Sequence, residues 1–308
     1  MIATYRCAPD GLDARRATPD GINMLLIIGY VIILAASLGT YAVHGSLAAL
    51  WVPMEYLAIF GLTVGGFVAG NGMKTVKATI GALPGVFKGS HLNKVLYMDL
   101  LAMLFEVLAK VRKEGLMSIE NDIENPHESP IFTKYPVIAA DHHVMEFTCD
   151  YLRMMVGGNL NAFEIENLMD IEIETHHQEA HVPVHAIAKL ADATPAFGII
   201  VAVMGVVNVM GSVGAPPAVL GKMIGGALVG TFLGILLAYG FIAPVAGQLG
   251  QKVEEEGKIF QVIKTVLLAS MNGYAPQVAV EFGRKVLYSG DRPRFIELEE
   301  DLKARKGK

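Results

Sequence analysis

The chain is short of cysteine, poor in aromatic residues, and has no charge at the middle of its longest apolar runs. Its two cysteines, Cys7 and Cys149, lie in different regions and match no metal-binding or redox spacing. A disulfide scaffold is thereby excluded, and free thiols in a reducing compartment are expected. Aromatics make up 8% of residues, the net charge is only −5, and no basic tract is interleaved with aromatic side chains, so no nucleic-acid partner is expected. No strand-like alternation and no glycine-rich phosphate loop compete with an all-α reading.

What the chain does have is apolar mass. With 53% hydrophobic and 18% charged residues, the two populations must be segregated. Apolar runs at Leu25–Val43, Leu50–Gly70, Pro195–Gly211 with its flanks, and Lys222–Phe241 are each long enough to cross about 30 Å of hydrocarbon as a helix. The fold expected is all-α: an integral membrane protein with four transmembrane helices. Glu55 and Lys222 sit at the outer edges of spans, and no ionisable residue lies near any midpoint. A charge at mid-depth costs roughly 2.5–3.5 kcal/mol on insertion scales, so proteins that carry one use it. An ion path here needs its titratable group from another polypeptide.

Of the 25 Lys and Arg residues, 24 lie outside the two short hairpins, His44–Ala49 and Ser212–Gly221, and the last is Lys222 at a hairpin edge. That asymmetry puts both termini and the long middle segment in the cytoplasm. The expected organisation is a 1–23 extension, spans one and two in 24–71, a helical polar domain in 72–191, spans three and four in 192–244, and a helical tail in 245–308. Residues 1–23 lack the apolar core of a signal peptide and read as a tail without a role of its own, a regulatory tail being the other reading. In the middle segment, Leu92–Lys113 is helical by period, Gly115 is a C-cap, and Ser118 restarts a helix with Glu120 in its first turn. Further helices are expected over Val137–Val156, Asn161–Glu179 and Gln248–Leu268.

Gly226, Gly230, Gly234 and Ala238 place a small residue at every fourth position of span four, a stripe that lets helix backbones approach in lipid. Beside it, the Thr231 hydroxyl either bonds back to its own helix or faces a polar path. Thr194 followed by Pro195 reads as the cap and first residue of span three, and Pro244 as a stop or kink near the end of span four. His176, His177, His181 and His185 cluster before span three, but Pro183 is expected to interrupt that helix, and HHQEAH does not meet the zinc-protease pattern. No metal, cofactor or catalytic residue is expected. Arg112 and Glu120 flank the Gly115 turn. They read either as charges complementing helix ends or as a tip suited to reversible electrostatic contact.

Five segments in order resemble the MotA family of flagellar stator subunits, within the MotA/TolQ/ExbB proton-channel superfamily: RKEGLMSIENDIENP, FEIENLMDIEIET, PAFGIIVAVMGVV, VGTFLGILLAYGF and GYAPQVAVEFGRKVLYSGDRPRFIEL. The resemblance implies a homopentamer in the inner membrane around a dimer of MotB, whose transmembrane aspartate carries H+. It implies that Arg112 and Glu120 engage the rotor protein FliG, and that Pro195 and Pro244 shape the channel and couple proton passage to movement. Thr231 becomes a channel-facing hydroxyl, and Ala202 stands where sodium-driven relatives carry threonine. An ExbB- or TolQ-like subunit energising outer-membrane processes is the alternative, and a histidine-based metalloenzyme a more distant one.

Overall fold

The computed structural model describes residues 24–88, 92–158 and 160–306; the 1–23 segment, with Cys7, lies outside them. In chain order the helices are α1 (Met24–His44), α2 (Pro53–Gly70), α3 (Met73–Phe87), α4 (Lys94–Glu114), α5 (Glu120–Glu124) and α6 (Pro136–Ala139). They continue as α7 (His142–Gly157), α8 (Ala162–Met210), α9 (Pro217–Ile235), α10 (Ala243–Met271), α11 (Pro276–Val286) and α12 (Phe295–Lys306). No β-strand occurs among the described residues, and four helical rods are long and apolar enough to cross a membrane: α1, α2, α8 and the run Pro217–Met271.

Two of these rods are far longer than a bilayer is thick. α8 has 49 residues, which at about 1.5 Å per residue is more than twice the hydrocarbon depth. It starts at Asn161, whose side chain accepts from the Glu164 backbone N–H while the Glu164 carboxylate accepts from the Asn161 N–H. It then passes both Pro183 and Pro195 without stopping. The expectation that Pro195 begins span three, capped by Thr194, is corrected: the Thr194 hydroxyl donates back to the Leu190 carbonyl at 2.6 Å, inside the helix. Pro183 does not break the helix either. Packing against α2, α3, α9 and α10 holds α8 continuous where local sequence predicts ends.

The fourth rod absorbs its proline differently. Between α9 and α10, residues Leu236–Ile242 form a π-helical turn, directly before Pro244 in the first turn of α10. A proline ring clashes with the carbonyl four residues back, and a wider turn relieves that clash. The Tyr30 hydroxyl of α1 donates to the Phe241 carbonyl at 2.9 Å, and the two rings lie 5.0 Å apart, so α1 is pinned to this turn.

The polar regions share one core. Leu100, Leu104 and Leu108 of α4 are buried with Phe132, Leu152 of α7, Met169 of α8 and Ile263 and Val266 of α10. α4 runs from its Asn93 cap to Gly115 (φ +87°), as its periodicity predicts. Ser118, however, does not cap the next helix; its hydroxyl donates to the Gly115 carbonyl within a 3₁₀ turn, and Glu120 is the first residue of α5. The helix expected over Val137–Val156 is two, because Asp141 caps α7. α11 packs on α4 and α10, and the tail is tied to α4 by Arg305, whose Nη2 donates to Asp99 Oδ1 at 2.8 Å. Cys149 lies inside this core, where burial pushes its thiol up to about 11.

Candidate functional site

The small-residue stripe meets a matching one. A Cβ added to Gly234 would lie 2.7 Å from Gly198 Cα and 3.3 Å from the Thr194 carbonyl oxygen, and one on Gly230 would lie 3.2 Å from the Ala202 nitrogen. A Cβ on Gly198 would lie 2.8 Å from the Gly230 carbonyl oxygen. Backbone touches backbone along α8 and α9, which only residues without side chains allow. Gly226 stands apart: its nearest neighbour is Val52 Cγ1 at 3.8 Å, ordinary contact with the chain before α2. Gly198 on the facing helix went unnoticed in the sequence, since its only mark is a partner on another element.

Ala202 is buried in this seam, and Pro195 lies half-buried one turn below Gly198 on the same helix. Thr231 follows Gly230, is half-buried, and its hydroxyl makes no hydrogen bond among the described residues, unlike those of Thr194 and Thr40, which bond back to their own helices. Its hydroxyl is therefore available to a polar path.

Arg112 and Glu120 lie apart from the seam, at the tip of the polar body. Both are exposed and neither has an ion-pair partner among the described residues. Arg112 is in the last turn of α4 and Glu120 opens α5, so each charge favours the helix end it occupies. Between them Met117 is 64% exposed. The tip is anchored by a network the sequence did not suggest. Buried Asp122 accepts from Lys110 Nζ and from Ser129 Oγ, each at 2.7 Å, and Ser129 Oγ accepts from the backbone N–H groups of Ile131 and Phe132. A short bridge from the tip to a buried carboxylate fixes the Gly115 turn in place.

Two family models match: motility protein A N-terminal over residues 27–115, and the MotA/TolQ/ExbB proton channel family over residues 139–262. Motility protein A of Escherichia coli (strain K12) is 53% identical over 282 residues, 91% of this chain and 96% of that protein. The chain belongs to the motility protein A family. Chemotaxis protein LafT of Vibrio parahaemolyticus is 32% identical over 92% of the chain and all of its own length. Among solved structures, C. jejuni MotAB matches with a TM-score of 0.71 at 22% identity, covering 87% of this chain and 97% of that one. The flagellar MotAB stator complex of Bacillus subtilis matches at 0.67 and 25%, covering 83% and 92%. As a member of that family, the chain is a multi-pass membrane protein and a flagellar stator subunit, and its family is one of proton channels rather than enzymes. The ExbB- or TolQ-like alternative has less support, since the matched relatives and structures are motility proteins.

Proposed function

We propose that this stator subunit conducts protons in complex with MotB and transmits their passage to the rotor protein FliG through Arg112 and Glu120. Its place is the bacterial inner membrane, with both termini and the polar body in the cytoplasm, as a homopentamer around a MotB dimer. The observation that carries the reading is that α8 and the Pro217–Met271 rod run without interruption from a backbone-tight seam into the core that holds the tip. A rotation at the seam therefore reaches the tip. The titrating carboxylate comes from the partner, because the spans of this chain offer none at mid-depth. Lipid contacts the outer faces of the spans, no nucleic acid takes part, and ion conduction itself uses no cofactor beyond the translocated H+.

One proton crossing about 100 mV releases roughly 2.3 kcal/mol, while a surface ion pair contributes about 0–1 kcal/mol. Each proton can thus break and remake one tip contact. Thr231 lines the path, Ala202 leaves it without the second hydroxyl a sodium ion would need, and Pro195 and Pro244 are the points where the rods flex.

The test is complementation of a cell lacking its own motility protein A, supplied with a compatible MotB. Swimming should be restored and should follow proton-motive force rather than external sodium. Arg112→Glu should abolish most swimming while membrane assembly with MotB persists; lost assembly would assign Arg112 to the helix end alone.

A further inference from the structure

Outside the seam and the tip, one cluster of metal-ligating side chains is not absorbed by the stator role. His177 and His181 lie one turn apart on α8, and Glu254 reaches them from α10. His177 Nε2 is 3.6 Å and His181 Nε2 3.4 Å from the same oxygen, Glu254 Oε1, and the three ligand atoms lie within 4.8 Å of one another. His181 Nε2 is buried and has no hydrogen-bond partner among the described residues. A buried polar nitrogen left unpaired is costly, and the His177 imidazole and the Glu254 carboxylate stand beside it.

We propose that His177, His181 and Glu254 form a site for a divalent transition metal of the zinc class, which clasps α8 to α10. Zinc binds imidazole nitrogen at about 2.0–2.1 Å and carboxylate oxygen at about 2.0–2.2 Å. Tetrahedral geometry at those lengths separates ligand atoms by roughly 3.3–3.5 Å, close to the two nitrogen–oxygen separations here. The spacing is long for a hydrogen bond and right for two ligands sharing one ion. Two histidines and a glutamate leave the fourth position to water. The nearby lysines do not compete: Lys258 Nζ donates to Gln261 and lies over the Tyr288 ring, and Lys252 Nζ donates to the Gly85 carbonyl. The i, i+4 pair was discounted because Pro183 should have broken its helix; the helix is unbroken, and the third ligand comes from 73 residues farther along the chain than His181.

The ion would cross-link the two long rods in the part of their length that carries charge, stiffening them as a pair. It makes no contact with the seam or tip residues, so the proposal stands or falls independently of the proton-conducting role.

The experiment is titration of untagged, detergent-purified full-length protein with Zn²⁺, followed by competition. One equivalent per chain should bind saturably, with Co²⁺ in its place giving the visible spectrum of a tetrahedral centre and excess Mg²⁺ failing to displace either. His177→Gln, His181→Gln and Glu254→Gln should each weaken binding by at least the 10- to 100-fold that loss of an outer-shell partner costs. His142→Gln, which removes an exposed histidine that pairs with Glu146 outside the cluster, should bind as the parent does. Thermal midpoints should rise with Zn²⁺ in the parent and not in the Glu254 variant, whose fold is checked by its unchanged metal-free midpoint. Absence of saturable binding, or binding that none of the three substitutions weakens, would overturn the proposal.

Discussion

At the scale of the residue, a few side-chain-free positions set how closely the spans pack. Gly198 is the sharpest case: a methyl group there would meet the Gly230 carbonyl oxygen and Gly234 Cα, backbone atoms that cannot rotate away. Gly198→Ala should therefore force α8 and α9 apart and cost about 1–3 kcal/mol, as overpacking does. Gly225→Ala, on the facing helix α9 but with nothing within 4 Å, should be neutral or slightly stabilising through helix propensity. Thermal unfolding of the two purified variants checks the contrast; equal midpoints would mean that the seam is looser than its geometry. The stripe on α9 was legible because a four-residue spacing is a local signal. Its partner was not, since Gly198, Ala202 and Thr194 become a matching surface only after two helices are set side by side. Asp122 was hidden for the same reason, its lysine and serine arriving from α4 and from the connector before α6.

At the scale of the element, the apolar runs and the capped helices were readable and the prolines were not. Length and hydropathy identify four spans, and Gly115 and Asn161 end and begin helices by chemistry that local sequence carries. A proline's effect depends instead on whether packing on both sides outweighs one lost hydrogen bond. In α8 it does at both Pro183 and Pro195; before α10 the backbone widens into a π turn. Pro244→Ala restores an N–H donor and removes the ring that the wide turn accommodates, so the turn should tighten toward regular helix. Amide exchange across residues 236–246 should slow, the assembled protein should unfold no more easily, and swimming in the complementation assay should fall severalfold. Slowed exchange with undiminished swimming would show that the π turn is a tolerated irregularity and that flexing occurs elsewhere.

At the scale of the whole molecule, the spans bury little of themselves. Only 6% of the apolar stretch of α1 and 28% of that of the fourth rod is covered by the rest of the chain, so most of the membrane surface faces lipid or other polypeptides. Glu55, the acid of the second span, sits in the first turn of α2, where a carboxylate favours the helix start and cannot relay a proton through the bilayer centre. On the proposed reading, this subunit by itself is a wall without a carrier. Reconstituted alone into vesicles under an imposed pH difference, it should leak protons no faster than lipid, and co-reconstitution with MotB should raise the flux. Replacing the partner's transmembrane carboxylate by its amide should return the flux to that of lipid, while Glu55→Gln leaves it unchanged. A flux from the subunit alone that Glu55→Gln removes would instead put the titrating group in this chain, and the division of labour between wall and carrier would have to be redrawn.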